Sequence, residues 1–150
     1  MKTGHPSKKD YVFVAIQLLL FVAYIFPFKI IPLNINVWIK HSGLALIAFG
    51  LILGVIALLQ INTKISPFPT PTLQSTLLTT GAFSIGRHPI YTGVLAMTLG
   101  YSIYNASVFK FLIFLLLLIL FYFKSNYEEQ LLSEKFPEYA IYKIKTRRFI

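Results

Sequence analysis

The chain has 150 residues, 56% of them hydrophobic, 16% aromatic and only 13% charged, with a formal net charge of +9 and no cysteine. That balance is far too apolar for a soluble domain of this size and indicates one integral membrane domain over residues 1–150, while the missing cysteines exclude disulfides, thiolate metal sites and a thiol nucleophile. A surplus of basic residues would indicate nucleic acid in a soluble protein; in a membrane chain it marks cytoplasmic loops and anionic headgroups, so no nucleic-acid partner is expected.

In chain order, a polar lead bearing Lys2, Lys8 and Lys9 runs into Tyr11–Phe28, eighteen residues without an ionised side chain, which reads as a first membrane span. A cleaved signal peptide is the competing reading, disfavoured because the bulky Tyr24-Ile25-Phe26-Pro27-Phe28 is no small-residue cleavage site. A turn with Pro32, Asn34 and Asn36 leads to a second span over 38–61, on which Gly50 and Gly54 are spaced for close helix contact. Residues 62–89 form a loop rich in proline, serine and threonine, with Pro67, Pro69 and Pro71, that must lie outside the hydrocarbon. A third span over 90–106 sets Gly93, Ala96 and Gly100 on one side. The fourth, 108–124, is saturated with Leu, Ile and Phe, and Lys110 is expected to snorkel from its end. Its helical pattern continues past Lys124 and Glu128 to Phe136-Pro137, so the helix emerges from the bilayer, followed by a basic, aromatic tail within 125–150.

The expected fold is therefore an all-α polytopic bundle with about four transmembrane helices, the last extending into the cytoplasm. With four spans, one side holds eleven basic residues, including Arg87, Arg147 and Arg148, and the other only Lys29, Lys40 and Lys110. That asymmetry places both termini and the 62–89 loop in the cytoplasm.

Polar chemistry concentrates in two cytoplasmic stretches. In the first, Gly81 and Gly86 free the backbone, Arg87 and His88 carry polar heads, and Pro89 starts a helix that puts Tyr91 near His88. The second is the Lys124, Glu128 and Glu129 turn. Plain readings exist for each: an i, i+4 ion pair for Lys124 and Glu128, an interfacial arginine, a helix cap for His88 and an interfacial aromatic for Tyr91. The scattered His5, His41 and His88 have no second ligand at metal spacing, so no metal is expected. Dinucleotide, Walker and serine-elbow motifs are missing.

The ordered set Gly81-Ala-Phe-Ser-Ile-Gly-Arg87-His88-Pro89-Ile-Tyr91-Thr-Gly93, then Glu128-Glu129-Gln-Leu-Leu, then Phe136-Pro-Glu-Tyr139 and Arg148-Phe-Ile, resembles the isoprenylcysteine carboxyl methyltransferase family and its phospholipid methyltransferase relatives. The likeness covers about half the chain, from Pro67 onward. It implies an S-adenosylmethionine-dependent methyltransferase that takes its cofactor at the cytoplasmic membrane face and a lipophilic substrate from the bilayer. Carried over by position, the resemblance implies cofactor contacts at Ser75, Thr76, Leu77, Leu78, Phe83, His88, Pro89, Ile90, Tyr91 and Glu128, and a substrate contact at Lys124. Two departures stand out: Lys124 replaces an arginine that clasps a carboxylate with two hydrogen bonds, and Phe83 replaces a tyrosine. For an amine acceptor, Glu128, Glu129 or His88 would be the candidate bases. The competing readings are a nicotinamide-dependent sterol-type reductase, since those enzymes share part of the carboxyl-terminal pattern, and a non-catalytic membrane protein.

Overall fold

Why the helices begin and end where they do is written in their flanks. The computed structural model describes residues 6–28, 31, 33–61, 68–71 and 76–150. Among them six helices occur: α1 (Lys8–Ile25), α2 (Val37–Ile61), α3 (Ala82–Ile85), α4 (Pro89–Tyr104), α5 (Val108–Lys135) and α6 (Tyr139–Lys145). A reciprocal cap starts α1: the Asp10 amide donates to the Ser7 hydroxyl, and the Ser7 amide donates to the Asp10 carboxylate at 2.6 Å. The helix stops at Ile25, three residues short of the expected end, because Phe26 precedes Pro27 and is pushed to extended geometry. The same device ends α5, where Phe136 precedes Pro137. Pro89 occupies the first turn of α4 and Ser107 caps α5. The tail, expected only to be basic and aromatic, folds one further short helix, α6.

Two helices, α2 and α5, are long and apolar enough to cross a membrane. The first turn of α1 carries Lys8, Lys9 and Asp10, and α4 has 16 residues. Many large apolar side chains face outward, among them Leu19, Leu59, Ile119 and Phe123, as suits a lipid-facing surface.

The most intimate packing joins α2 and α4, antiparallel. A Cβ at Gly50 would stand 2.5 Å from the Gly93 carbonyl oxygen, and one at Gly43 would stand 2.6 Å from that of Gly100. The close contact on α2 thus extends to Gly43, two turns before Gly50; Gly54 also touches α4 through its backbone, its amide nitrogen 3.2 Å from where a Cβ at Gly93 would stand, although a Cβ on Gly54 itself would meet nothing. On the other side of α4, Leu95 packs with Ile113, Phe114, Leu117 and Phe121 of α5, and Leu20, Phe21 and Tyr24 of α1 close over that cluster. Lys110 does not snorkel. It is 7% exposed, donates to the Tyr24 carbonyl, and lies 4.7 and 5.2 Å from the Tyr24 and Tyr101 ring centroids. The carboxyl end of α1 holds it inside the bundle.

Candidate active site

Three segments distant in sequence meet at one end of the bundle: the turn before α4, the polar end of α5, and the tail after α6. The turn depends on two glycines. Gly81 has φ +61°, and a Cβ there would fall 1.5 Å from the Gln60 amide nitrogen, whose companion oxygen accepts from the Ala82 amide at 3.0 Å. At Gly86 the chain pairs with the tail as a short parallel bridge to Arg147. The Arg87 amide donates to the Arg147 carbonyl at 2.8 Å and the His88 amide to that of Arg148 at 3.1 Å. The tail is thereby strapped along the Arg87-His88 backbone.

Glu129 is the electrostatic centre. At 2% exposed it accepts from Arg87 Nε at 3.0 Å, Arg148 Nε at 3.1 Å and Arg148 Nη2 at 3.2 Å, with His88 Nε2 at 3.3 Å and Lys143 Nζ at 3.5 Å. Arg87 also donates to the carbonyls of Lys143 and Thr146, so one guanidinium joins α5, α6 and the tail. Burial of a carboxylate is tolerable only when it is paired and hydrogen-bonded, and this one is. Nearby, burial pushes the Tyr139 hydroxyl above its usual range, reinforced by Glu129. Burial likewise raises Tyr142, whose hydroxyl donates to the Phe83 carbonyl, to about 12.

Glu128, the next residue, is placed differently. It accepts from the Tyr91 hydroxyl at 2.9 Å, lies 3.6 Å from His88 Nδ1, and is 27% exposed. The His88 and Tyr91 rings stack at 5.3 Å with planes 4° apart, and Phe121 stacks on Tyr91 at 4.7 Å. Lys124, 2% exposed, donates to Gln17 of α1 at 2.7 Å and sits 5.4 Å from the Tyr91 ring centroid. His88 is the residue that precedes α4, yet its side chain makes no cap and turns to the two carboxylates instead.

The expected residues therefore divide. His88, Tyr91 and Glu128 are brought together, with Lys124 beside Tyr91. Pro89 is buried and fixes the start of α4. Phe83 and Ile90 pack on the cluster that Leu53 and Ala57 of α2 form with Ala82 of α3. Thr76 is exposed and Leu77 and Leu78 are half-buried in the irregular stretch before Gly81, while Ser75 lies outside the described residues. Sequence reasoning placed Glu129 in the polar turn and among three candidate bases, but did not single out Arg148 and Lys143 as its partners or Gln17 as the partner of Lys124. One signal was available: Gln17 is the lone amide in an otherwise apolar run.

A carboxylate with exposed surface at the edge of an aromatic stack is suited to a cationic ligand. The Tyr139 hydroxyl adds a buried polar atom without a partner among the described residues, on the same side of the bundle. No cluster of metal-ligating side chains occurs among the described residues.

A model of the phospholipid methyltransferase family matches residues 38–139, about two thirds of the chain. No curated protein and no solved structure matches it.

Proposed function

Because the chain belongs to the phospholipid methyltransferase family, a family of membrane methyltransferases acting on lipids, we propose that it transfers a methyl group from S-adenosylmethionine to a lipophilic acceptor at the membrane surface. The observation that carries this reading is the joining of Tyr91, His88 and Glu128 beside the Glu129 knot, at the end of the bundle where α5 turns polar. The family match favours it over the reductase and the non-catalytic readings. In the bilayer, α1, α2, α4 and α5 each cross, with both termini cytoplasmic. The distribution of basic residues supports that orientation, and the 16-residue α4, about 24 Å long, fits a bilayer locally thinned around it.

When bound, the cofactor supplies an electrophilic methyl on a sulfonium. The chain's residues have the other tasks. Glu128 holds positive charge with its exposed oxygen surface, the stack of His88, Tyr91 and Phe121 fixes the Tyr91 hydroxyl on that carboxylate, and the tail strap keeps water from the Arg87-His88 backbone. Glu129, tied to two guanidiniums, is a structural anion rather than a base. A carboxylate acceptor needs no base. An amine acceptor must lose a proton, which Glu128 or His88 would take. Lys124, beside Tyr91, is the residue for the acceptor, and Thr76, Leu77 and Leu78 line the approach to the cofactor.

Membranes containing the protein, incubated with methyl-labelled S-adenosylmethionine and then separated into lipid, small-molecule and protein fractions, test the proposal. Label is expected in a lipophilic product, base-labile if an ester and base-stable if on nitrogen. No transfer, together with no calorimetric binding of S-adenosylmethionine by the purified protein, would refute it.

A further inference from the structure

A second feature lies at the opposite end of the bundle. All five carboxylates of the chain, Asp10, Glu128, Glu129, Glu134 and Glu138, belong to the amino-terminal turn of α1, the polar end of α5 or the turn after it. Lys110, in the first turn of α5, is at the other end. It is more than nine-tenths buried, and none of those five carboxylates can supply its countercharge there. The Tyr24 carbonyl and two aromatic faces solvate the ammonium but carry no net charge. A buried cation without a counter-anion is costly, and an ammonium has three protons to donate, of which the Tyr24 carbonyl takes one.

Lys110 also lines a cavity of about 380 Å³ between the end of α1, the α4–α5 turn and the segment around Leu33. Asn34, Asn105 and Ser107 contribute polar groups to its wall, and Ile25, Phe28 and Leu33 contribute apolar ones. Among the described residues the wall bears no acidic side chain. Ser107 caps α5, so the positive end of a 28-residue helix adds to the lysine charge.

We propose that this cavity binds the phosphodiester of an anionic phospholipid, its phosphate beside Lys110 and one acyl chain along Ile25, Phe28 and Leu33. Charge complementarity favours a net-negative headgroup. The apolar wall favours a lipid over a soluble anion. The site is separate from the methyl-transfer centre and stands whether or not that centre acts as proposed.

Detergent-purified protein titrated with phosphatidylglycerol, phosphatidylcholine or inorganic phosphate, and followed by thermal unfolding and native mass spectrometry, tests the site. Phosphatidylglycerol is expected to bind about fivefold more tightly than phosphatidylcholine, the preference one lysine confers near an anionic lipid. Inorganic phosphate should give no shift. Lys110→Met should erase the preference and Lys110→Arg should keep it. If Lys110→Met does not fold, Asn105→Ala at the exposed turn serves, with weakened phosphatidylglycerol binding expected. Equal binding of the two lipids by the unaltered protein, an equal shift from inorganic phosphate, or a preference that survives Lys110→Met would each overturn the proposal.

Discussion

Replacing Glu129 by Gln keeps the side chain's shape and removes the charge on which two guanidiniums converge. Arg87 is only 8% exposed, so its charge would remain buried with carbonyl partners alone. Arg148 is 21% and Lys143 49% exposed, and water takes over much of their solvation. Breaking a buried pair costs about 3–5 kcal/mol, whereas exposed pairs contribute under about 1 kcal/mol. Because the glutamine oxygen still accepts one hydrogen bond, the lower end, about 3 kcal/mol, is expected. At about 2–4 °C per kcal/mol for a chain of this length, Glu129→Gln should lower Tm by roughly 6–12 °C. The loss should be local first: hydrogen exchange should accelerate at the Arg87 and His88 amides, which bond to the tail carbonyls. Thermal unfolding of detergent-solubilised protein with exchange measured by mass spectrometry reads both. A Tm within about 2 °C of the unaltered protein, with those amides still protected, would show that Glu129 does not hold the tail.

Glu128→Gln and Tyr91→Phe should behave oppositely, each costing about 1 kcal/mol of stability or less while lowering methyl transfer at least tenfold, measured on the same preparations with labelled cofactor. Gly50→Val would force a Cβ to 2.5 Å from the Gly93 carbonyl oxygen and part α2 from α4; loss of monodisperse protein on size exclusion is expected, whereas Gly54→Ala, with open space around it, should be tolerated. The Tyr142 hydroxyl ionises at about 12 when folded because of burial, against 10.0 ordinarily. The unfolded chain therefore releases that proton first, and its contribution to stability, full below pH 10, is lost as pH rises toward 12. Chemical denaturation across that range should show a shallower decline for Tyr142→Phe than for the unaltered protein.

Much of the site was legible because its parts are local. Pro89 after His88, with Tyr91 three residues on, fixes the start of α4 and the stacking of two rings with no reference to the rest of the chain. Composition alone indicated a membrane helix bundle, and prolines marked where helices stop, although the end of α1 fell at Ile25 because the constraint acts on the residue before Pro27. What adjacency in sequence cannot decide is which of two neighbouring carboxylates is buried. Successive residues on a helix point about 100° apart, so Glu128 faces Tyr91 while Glu129 faces Arg87 and Arg148, and only the course of the tail makes that difference. The glycine contacts show the same division: close approach was foreseeable, but its register, Gly43 and Gly50 against Gly100 and Gly93, depended on how two helices slide past each other. Lys110 marks the limit most sharply. Its charge and position near a helix end suggested an escape to the headgroups, and the meeting of Tyr24 and Tyr101 around it, across more than seventy residues of chain, buried it instead. Periodicity, caps and breakers act over a few residues and are written in the sequence; the environment of a charge is set by what packs on it from afar, and only the tertiary structure supplies that.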